Sequence, residues 1–218
     1  MRPATATSAD GPLNLVNAIR TASTREARGK GVLVVLNDEI NAAREATKTS
    51  TYRVETFRAP DLGVLGYVDG DEVVFYRSST RRHTTKSEFD VASIQDLPKV
   101  DIYYSYLESN TEMIGAMIRA GVKGIVFAGT GAGTISASER AALKALAAPP
   151  TSPGHVLVRS SRVGSGRVIG LTGLREEYDA LGLIPADNLN PQKARILLML
   201  ALTKTRNADE IERMFAEY

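Results

Sequence analysis

The chain of 218 residues has no cysteine and no tryptophan, and only two histidines, His83 and His155. Without cysteine there are no disulfides, no thiolate nucleophile and no Cys-ligated metal, and the redox surroundings stay open. Two isolated histidines do not make a His-based metal site. Aromatic residues amount to 6%, and only Tyr76 and Phe89 lie near the most basic stretch to stack bases. No apolar run approaches the roughly 20 residues of a membrane span, so neither a membrane role nor a nucleic-acid role is expected. Charge of one sign is also missing: 27 Lys and Arg against 25 Asp and Glu leave +2, too little to imply an electrostatic partner. The most basic stretch, Arg77, Arg81, Arg82, His83 and Lys86, reads as a solvated loop.

What is present is ordinary globular composition, 43% hydrophobic and 24% charged, with enough length for one large or two small domains. Residues 1–12 carry no strand pattern and read as an interior loop feeding a helix. They also lack the charged region and apolar run of a secretion signal. Asp10-Gly11-Pro12 opens that helix, with Leu13, Val16 and Ile19 at helical spacing. The run 31–36 is short, continuous and β-branched, the pattern of a parallel strand covered on both faces. A polar loop is expected over 37–49, at the carboxyl end of that strand, where open α/β sheets gather ligands. Asp69-Gly70 between 64–68 and 72–76 predicts a hairpin.

Residues 86–100 read as a linker between a first domain, 1–85, and a second, 101–218. The second alternates regularly, with strands at 101–106, 124–128 and 155–159 and helices at 111–120 and 136–147. That is a βαβαβ order with parallel strands. Ser136 and Glu139 have capping-box spacing. A glycine-bearing loop over 160–188 is long enough to be a lid or binding segment. Asn190-Pro191 starts a helix whose stretch 194–202 is nearly all apolar, and Asn207 with Glu210 starts a last one carrying Ile211, Met214 and Phe215.

Three constellations carry chemistry. Lys48, between Thr47 and Thr49, could take a proton from a neighbouring hydroxyl, although a lone loop lysine is more commonly a solvated one. Gly129-Thr130-Gly131-Ala132-Gly133-Thr134 lies between a strand and a helix, where glycines let amides approach phosphate. Its spacing is defective for a dinucleotide site, and no acidic residue follows between Arg140 and Arg175. An NADP variant survives through Arg159-Ser160-Ser161-Arg162, against the plainer reading of a tight turn. Glu176-Glu177 could bind an ammonium group, against the plainer reading of a solvated pair.

Several blocks, in order, resemble type II L-asparaginases. They are Met1-Arg2-Pro3-Ala4-Thr5 with Ser8-Ala9-Asp10-Gly11-Pro12, then Val34-Val35-Leu36-Asn37-Asp38 and Thr47-Lys48-Thr49. Val158-Arg159-Ser160-Ser161-Arg162 and Leu189-Asn190-Pro191-Gln192-Lys193-Ala194-Arg195 complete them. The resemblance implies an α/β protein: an incomplete Rossmann-like parallel-sheet N-terminal domain and a smaller flavodoxin-like C-terminal domain. It implies hydrolysis of L-asparagine, with L-glutamine as a second substrate, by a threonine nucleophile, without a cofactor or metal and in a homotetramer.

Lys48 matches the family's triad lysine. Glu176 or Glu177 is the nearest match to an acidic residue that meets the substrate amino group across a subunit interface. The matched blocks contain no counterpart of the nucleophilic threonine or of the triad's Thr-Asp pair, so the 218 residues alone are expected to be inactive. Ala132 stands where the family usually has an asparagine that reaches the neighbouring subunit. The alternatives are a non-catalytic assembly module of the same fold and, more remotely, an NADP-binding reductase. The compartment is left open, cytoplasmic by default and periplasmic for a longer form.

Overall fold

The computed structural model describes residues 2–147, 154–170 and 173–218. They divide into two compact units, Met1–Lys86 and Ser87–Tyr218.

The first unit begins with helix α1 (Gly11–Ser23), carrying Pro12 in its first turn. Six strands follow: β1 (Leu33–Leu36), β2 (Glu39–Ala42), β3 (Thr47–Lys48), β4 (Phe57–Arg58), β5 (Gly66–Asp69) and β6 (Glu72–Phe75). Four of them form a sheet in the order β1-β2-β5-β6, and β3 with β4 forms a separate ribbon. Every pairing is antiparallel. This corrects two expectations. The parallel sheet foreseen for this half is not formed among the described residues, and 31–36 is not covered on both faces, since all four β1 residues are only half-buried. The stretch 37–49, expected as a loop, instead holds a tight turn at Asn37-Asp38 followed by β2 and β3.

Leu36 and Glu39 face each other across two residues, Asn37 and Asp38, both left-handed at φ +54° and +59°. That is the backbone of a type I′ turn, whose twist suits a hairpin and whose positive φ Asn and Asp tolerate. The second hairpin is as expected, with its turn one residue further on. Asp69 pairs with Glu72, and Gly70, at φ +66°, takes the first central position. Gly66 is required by a different constraint, for a Cβ there would lie 2.0 Å from the Val74 carbonyl oxygen.

The second unit contains β7 (Val100–Tyr104), α2 (Glu112–Arg119), β8 (Gly124–Gly129), α3 (Ala137–Ala147) and β9 (Val156–Ser161). Then come α4 (Arg175–Ala180), β10 (Leu183–Pro185), α5 (Pro191–Ala201) and α6 (Ala208–Glu217). All strand pairs are parallel, in the order β10-β9-β8-β7. Because neighbours in sequence are neighbours in the sheet, right-handed crossovers place their helices on a single face. Tyr103, Ile125, Phe127 and Leu183 meet α2, α3 and α4 there. Val100, Val126, Val158 and Ile184 point the other way, against Leu197, Leu198, Ile211, Met214 and Phe215 of α5 and α6. Alternation along β8, buried throughout, explains why a central parallel strand reads as unbroken apolar sequence.

The stretch 160–188, expected as one long loop, instead contains α4 and β10; its residues 171 and 172 lie outside the described ones. Residues 87–99 are fastened within this unit. The Glu88 backbone N–H donates to the Tyr218 hydroxyl at 2.7 Å, Arg213 pairs with Glu88 at 3.0 Å, and Phe89 stacks on Tyr218.

Candidate active site

In the first unit, Lys48 lies on the β3–β4 ribbon rather than in a loop, opposite Phe57. It is exposed, and its side chain makes no hydrogen bond or ion pair with the described residues. The ribbon around it is well tied. Thr49 donates both its N–H and its hydroxyl to the Thr56 carbonyl at 2.7 and 2.9 Å, and the Ser50 N–H donates to Thr56 Oγ1. Thr49 is therefore spent on structure, and it is the backbone that presents the lysine. Behind the ribbon, the almost fully buried Glu45 carboxylate accepts from Arg77 at 2.9 Å, and Arg77 Nε donates to the Val64 carbonyl at 2.7 Å. This pair pins the chain between β2 and β3 to the β5–β6 hairpin.

In the second unit, the carboxyl ends of β7, β8 and β9 converge. The glycine turn after β8 closes on itself. Thr130 donates its N–H to Thr134 O, while Gly133 and Thr134 both donate theirs to Thr130 O. A Cβ on Gly129 would stand 2.6 Å from the Gly133 carbonyl carbon, so the first glycine serves close backbone approach. The turn's carbonyls are then clamped. Arg159 donates to Ala132 O and Gly133 O at 3.2 and 3.3 Å and to Ile169 O at 3.0 Å, and Ser161 donates to Gly131 O at 2.5 Å.

Arg159 is buried with its guanidinium 4.4 Å from the Tyr178 ring centre, a cation–π contact that replaces a carboxylate partner. Burial lowers its pKa. Of the two arginines that could meet a nucleotide phosphate, Arg159 is thus inside the protein and Arg162 is exposed and donates to Ser105 O at 2.9 Å, while the N–H groups of Thr130, Gly133 and Thr134 are spent within the turn. The NADP reading loses Arg159 and three of the turn's amides. Among the described residues no cluster of three or more His, Asp or Glu could hold a metal, and no helix is long and apolar enough to cross a membrane.

Glu139 was legible in the sequence only as a capping-box partner. Its carboxylate is fully buried and accepts from the Ser136 N–H at 2.6 Å, Ser109 Oγ at 2.5 Å and Ser105 Oγ at 3.2 Å. Ser136 Oγ accepts from the Glu139 N–H in return, completing the box. Ser105 and Ser109 carried no spacing signal, because they reach Glu139 only after β7 and α3 have packed.

The two glutamates of α4 separate. Glu177 pairs with Arg140 at 2.7 Å and Lys144 at 2.6 Å, and the Lys144 hydrogen bond, followed by Coulombic attraction to Arg140, lowers its pKa. It fastens α4 to α3. Glu176 is exposed, and its carboxylate makes no polar contact with the described residues.

Comparison with known proteins supplies the context. Residues 1–81 match the family model "Asparaginase, N-terminal", and residues 99–215 match the "Glutaminase/Asparaginase C-terminal domain". The chain belongs to the glutaminase/asparaginase family. It is 45% identical to L-asparaginase 2 of Bacillus subtilis over 219 residues and 44% identical to the glutaminase-asparaginase of Pseudomonas fluorescens biotype A over 218. Both alignments take in the whole of this chain but 56% and 59% of those proteins, so it spans little more than half their length. The crystal structure of a probable cytoplasmic L-asparaginase from Campylobacter jejuni superposes with a TM-score of 0.92 at 45% identity, covering all of this chain and 69% of that one. With the fold of this asparaginase-family chain settled at that level, the two units correspond to the two family models.

Proposed function

We propose that this chain is part of an amidohydrolase that converts L-asparagine, and with it L-glutamine, to the acid and ammonia. The observation that carries the reading is the match to both family models along a chain 45% identical to an L-asparaginase, with Thr47-Lys48-Thr49 held on a braced ribbon. In this reaction a threonine hydroxyl attacks the side-chain amide carbon, ammonia leaves with the hydroxyl's proton, and water then cleaves the resulting ester. In this reading Lys48, whose amine is not spent on another described residue of the unit, takes the proton from the attacking hydroxyl and hands it to the departing nitrogen. Glu176 is the carboxylate of α4 left over for a substrate ammonium group, supplied across a homo-oligomer interface, whereas Glu177 is engaged by Arg140 and Lys144.

The test is a chimera in which residues 1–218 are joined to the part of the B. subtilis relative that lies outside the matched stretch. It should release ammonia from L-asparagine, and Lys48→Ala should lower kcat at least about a hundredfold. Equal rates with Lys48→Ala would remove Lys48 from the mechanism, and a folded chimera without ammonia release would overturn hydrolysis. The 218 residues alone should release none. A second reading, an assembly module without chemistry, draws on Ala132, which presents no side-chain amide from the glycine turn. Association of the chimera into oligomers without turnover would favour it.

A further inference from the structure

Arg159 is a buried charge without an anion. It is 3% exposed and forms no ion pair with the described residues, and its enclosed Nε has no hydrogen-bond acceptor among them. Taking an ionised group out of water without a counter-charge costs stability, and a side chain kept at this position only to hold the fold together would be better apolar. Arg140 on α3 gives the contrast, because it meets the Glu177 carboxylate at 2.7 Å.

The groups around Arg159 supply the reason for its presence. Nη1 reaches the glycine turn, at Ala132 O and Gly133 O, and Nη2 reaches Ile169 O at 3.0 Å. The guanidinium carbon lies 4.4 Å from the centre of the Tyr178 ring on α4. Tyr178 is itself fully enclosed, and its hydroxyl accepts the N–H of Ile135, the residue that follows the turn, at 3.4 Å. Gly133, at φ +85°, lets Val168 sit against the turn, since a Cβ there would lie 3.0 Å from both Val168 methyl carbons. The turn, residues 168 and 169 and α4 thus meet around one guanidinium. A lysine ammonium has no plane to stack on the tyrosine and no fork to span acceptors on both sides of it. The Glu177 bridges tie α4 only to α3, so the attachment of the helix to the turn falls to Arg159 and Tyr178.

We propose that Arg159 is a positioning residue, locking the glycine turn and α4 to each other so that the Glu176 carboxylate, on the same short helix as Tyr178, stands at a fixed place for the substrate ammonium group. The role of Glu176 rests on the amidohydrolase reading, whereas the locking does not.

Amide hydrogen exchange in the 218-residue protein tests the lock. In Arg159→Met, exchange should quicken about tenfold at Thr134 and, together with it, at Tyr178 and Leu181, with the urea midpoint unchanged, because the loss of the contacts is offset by removal of a buried charge. Arg159→Lys should loosen the same amides, and Arg206→Met, at an exposed site, should loosen none. A lowered midpoint with faster exchange spread through β8 and β9 would reduce Arg159 to a structural role and overturn the proposal, as would a change confined to the turn or to α4. In the chimera with the remainder of the B. subtilis relative, Arg159→Met should raise KM for L-asparagine about tenfold with kcat little changed. In a Glu176→Gln background it should add nothing further, and an equal further rise there would show that Arg159 does not act through Glu176. A chimera that releases no ammonia would remove the hydrolase reading, while the exchange measurement would still decide whether Arg159 locks the turn to α4.

Discussion

Glu139 gathers two serine hydroxyls and a backbone N–H around a carboxylate that no solvent reaches. Glu139→Ala strands those donors in the interior and should cost about 3 kcal/mol in urea unfolding. Ser109→Ala removes one donor and leaves the carboxylate two, so it should cost about 1 kcal/mol. Glu177 illustrates a charge effect at the same scale. Its pKa is lowered, first by the Lys144 hydrogen bond. The α3–α4 attachment it provides is therefore fully present above the ordinary glutamate range and is lost only as pH falls through the lowered value. An NMR titration of the Glu177 carboxyl should show a midpoint below that of an unstructured glutamate, and Lys144→Ala should move it back up. Glu177 and Glu176 are adjacent letters with equal claims in the sequence. Only the packing of α4 beside Arg140 and Lys144 separates a clamp from a free carboxylate.

At the scale of elements, the second hairpin and the caps of α5 and α6 were legible because their chemistry is local. Asp69-Gly70, Asn190 accepting from the Lys193 N–H and Asn207 accepting from the Glu210 N–H involve residues two or three apart. The parallel strands of the second unit were legible for a different reason: a strand buried on both faces has no room for polar residues. The run 31–36 has the same apolar spelling and became an antiparallel edge strand. Spelling records how much burial a strand is suited to, and it does not say which neighbour supplies it. Glycines made the same point. Gly129 reads as a phosphate-loop residue, but its role is to let the turn fold against itself, so Gly129→Ala should destabilise the second unit by about 2 kcal/mol through backbone clash. In the first unit, Arg77→Ala should leave Glu45 as an unpaired buried carboxylate and cost about 3 kcal/mol, with Glu45→Gln much milder. Denaturant titrations of the three variants check both.

Over the whole molecule, near-neutral net charge, the lack of cysteine and the lack of long apolar runs narrowed the chemistry before any fold was considered. The order of weak blocks identified the family, since each block is short but their sequence along the chain is specific. The site was less legible. A lysine between threonines records a residue type, whereas a proton acceptor is defined by what stands beside it. In this unit Lys48 is braced by Thr49, Ser50 and Thr56 on a ribbon the sequence reading did not foresee.

By itself the sequence determined the βαβαβ order of the second unit, the helix starts apart from that of α4, the Asp69-Gly70 turn and the family, all of which rest on periodicity or on contacts within a few residues. Tertiary structure alone decided that β1 is an edge, that Arg159 lies buried against Tyr178 and that Glu139 collects two distant serines. Each of these depends on groups separated by tens of residues along the chain. Their free energies arise only when burial and hydrogen bonding bring them together.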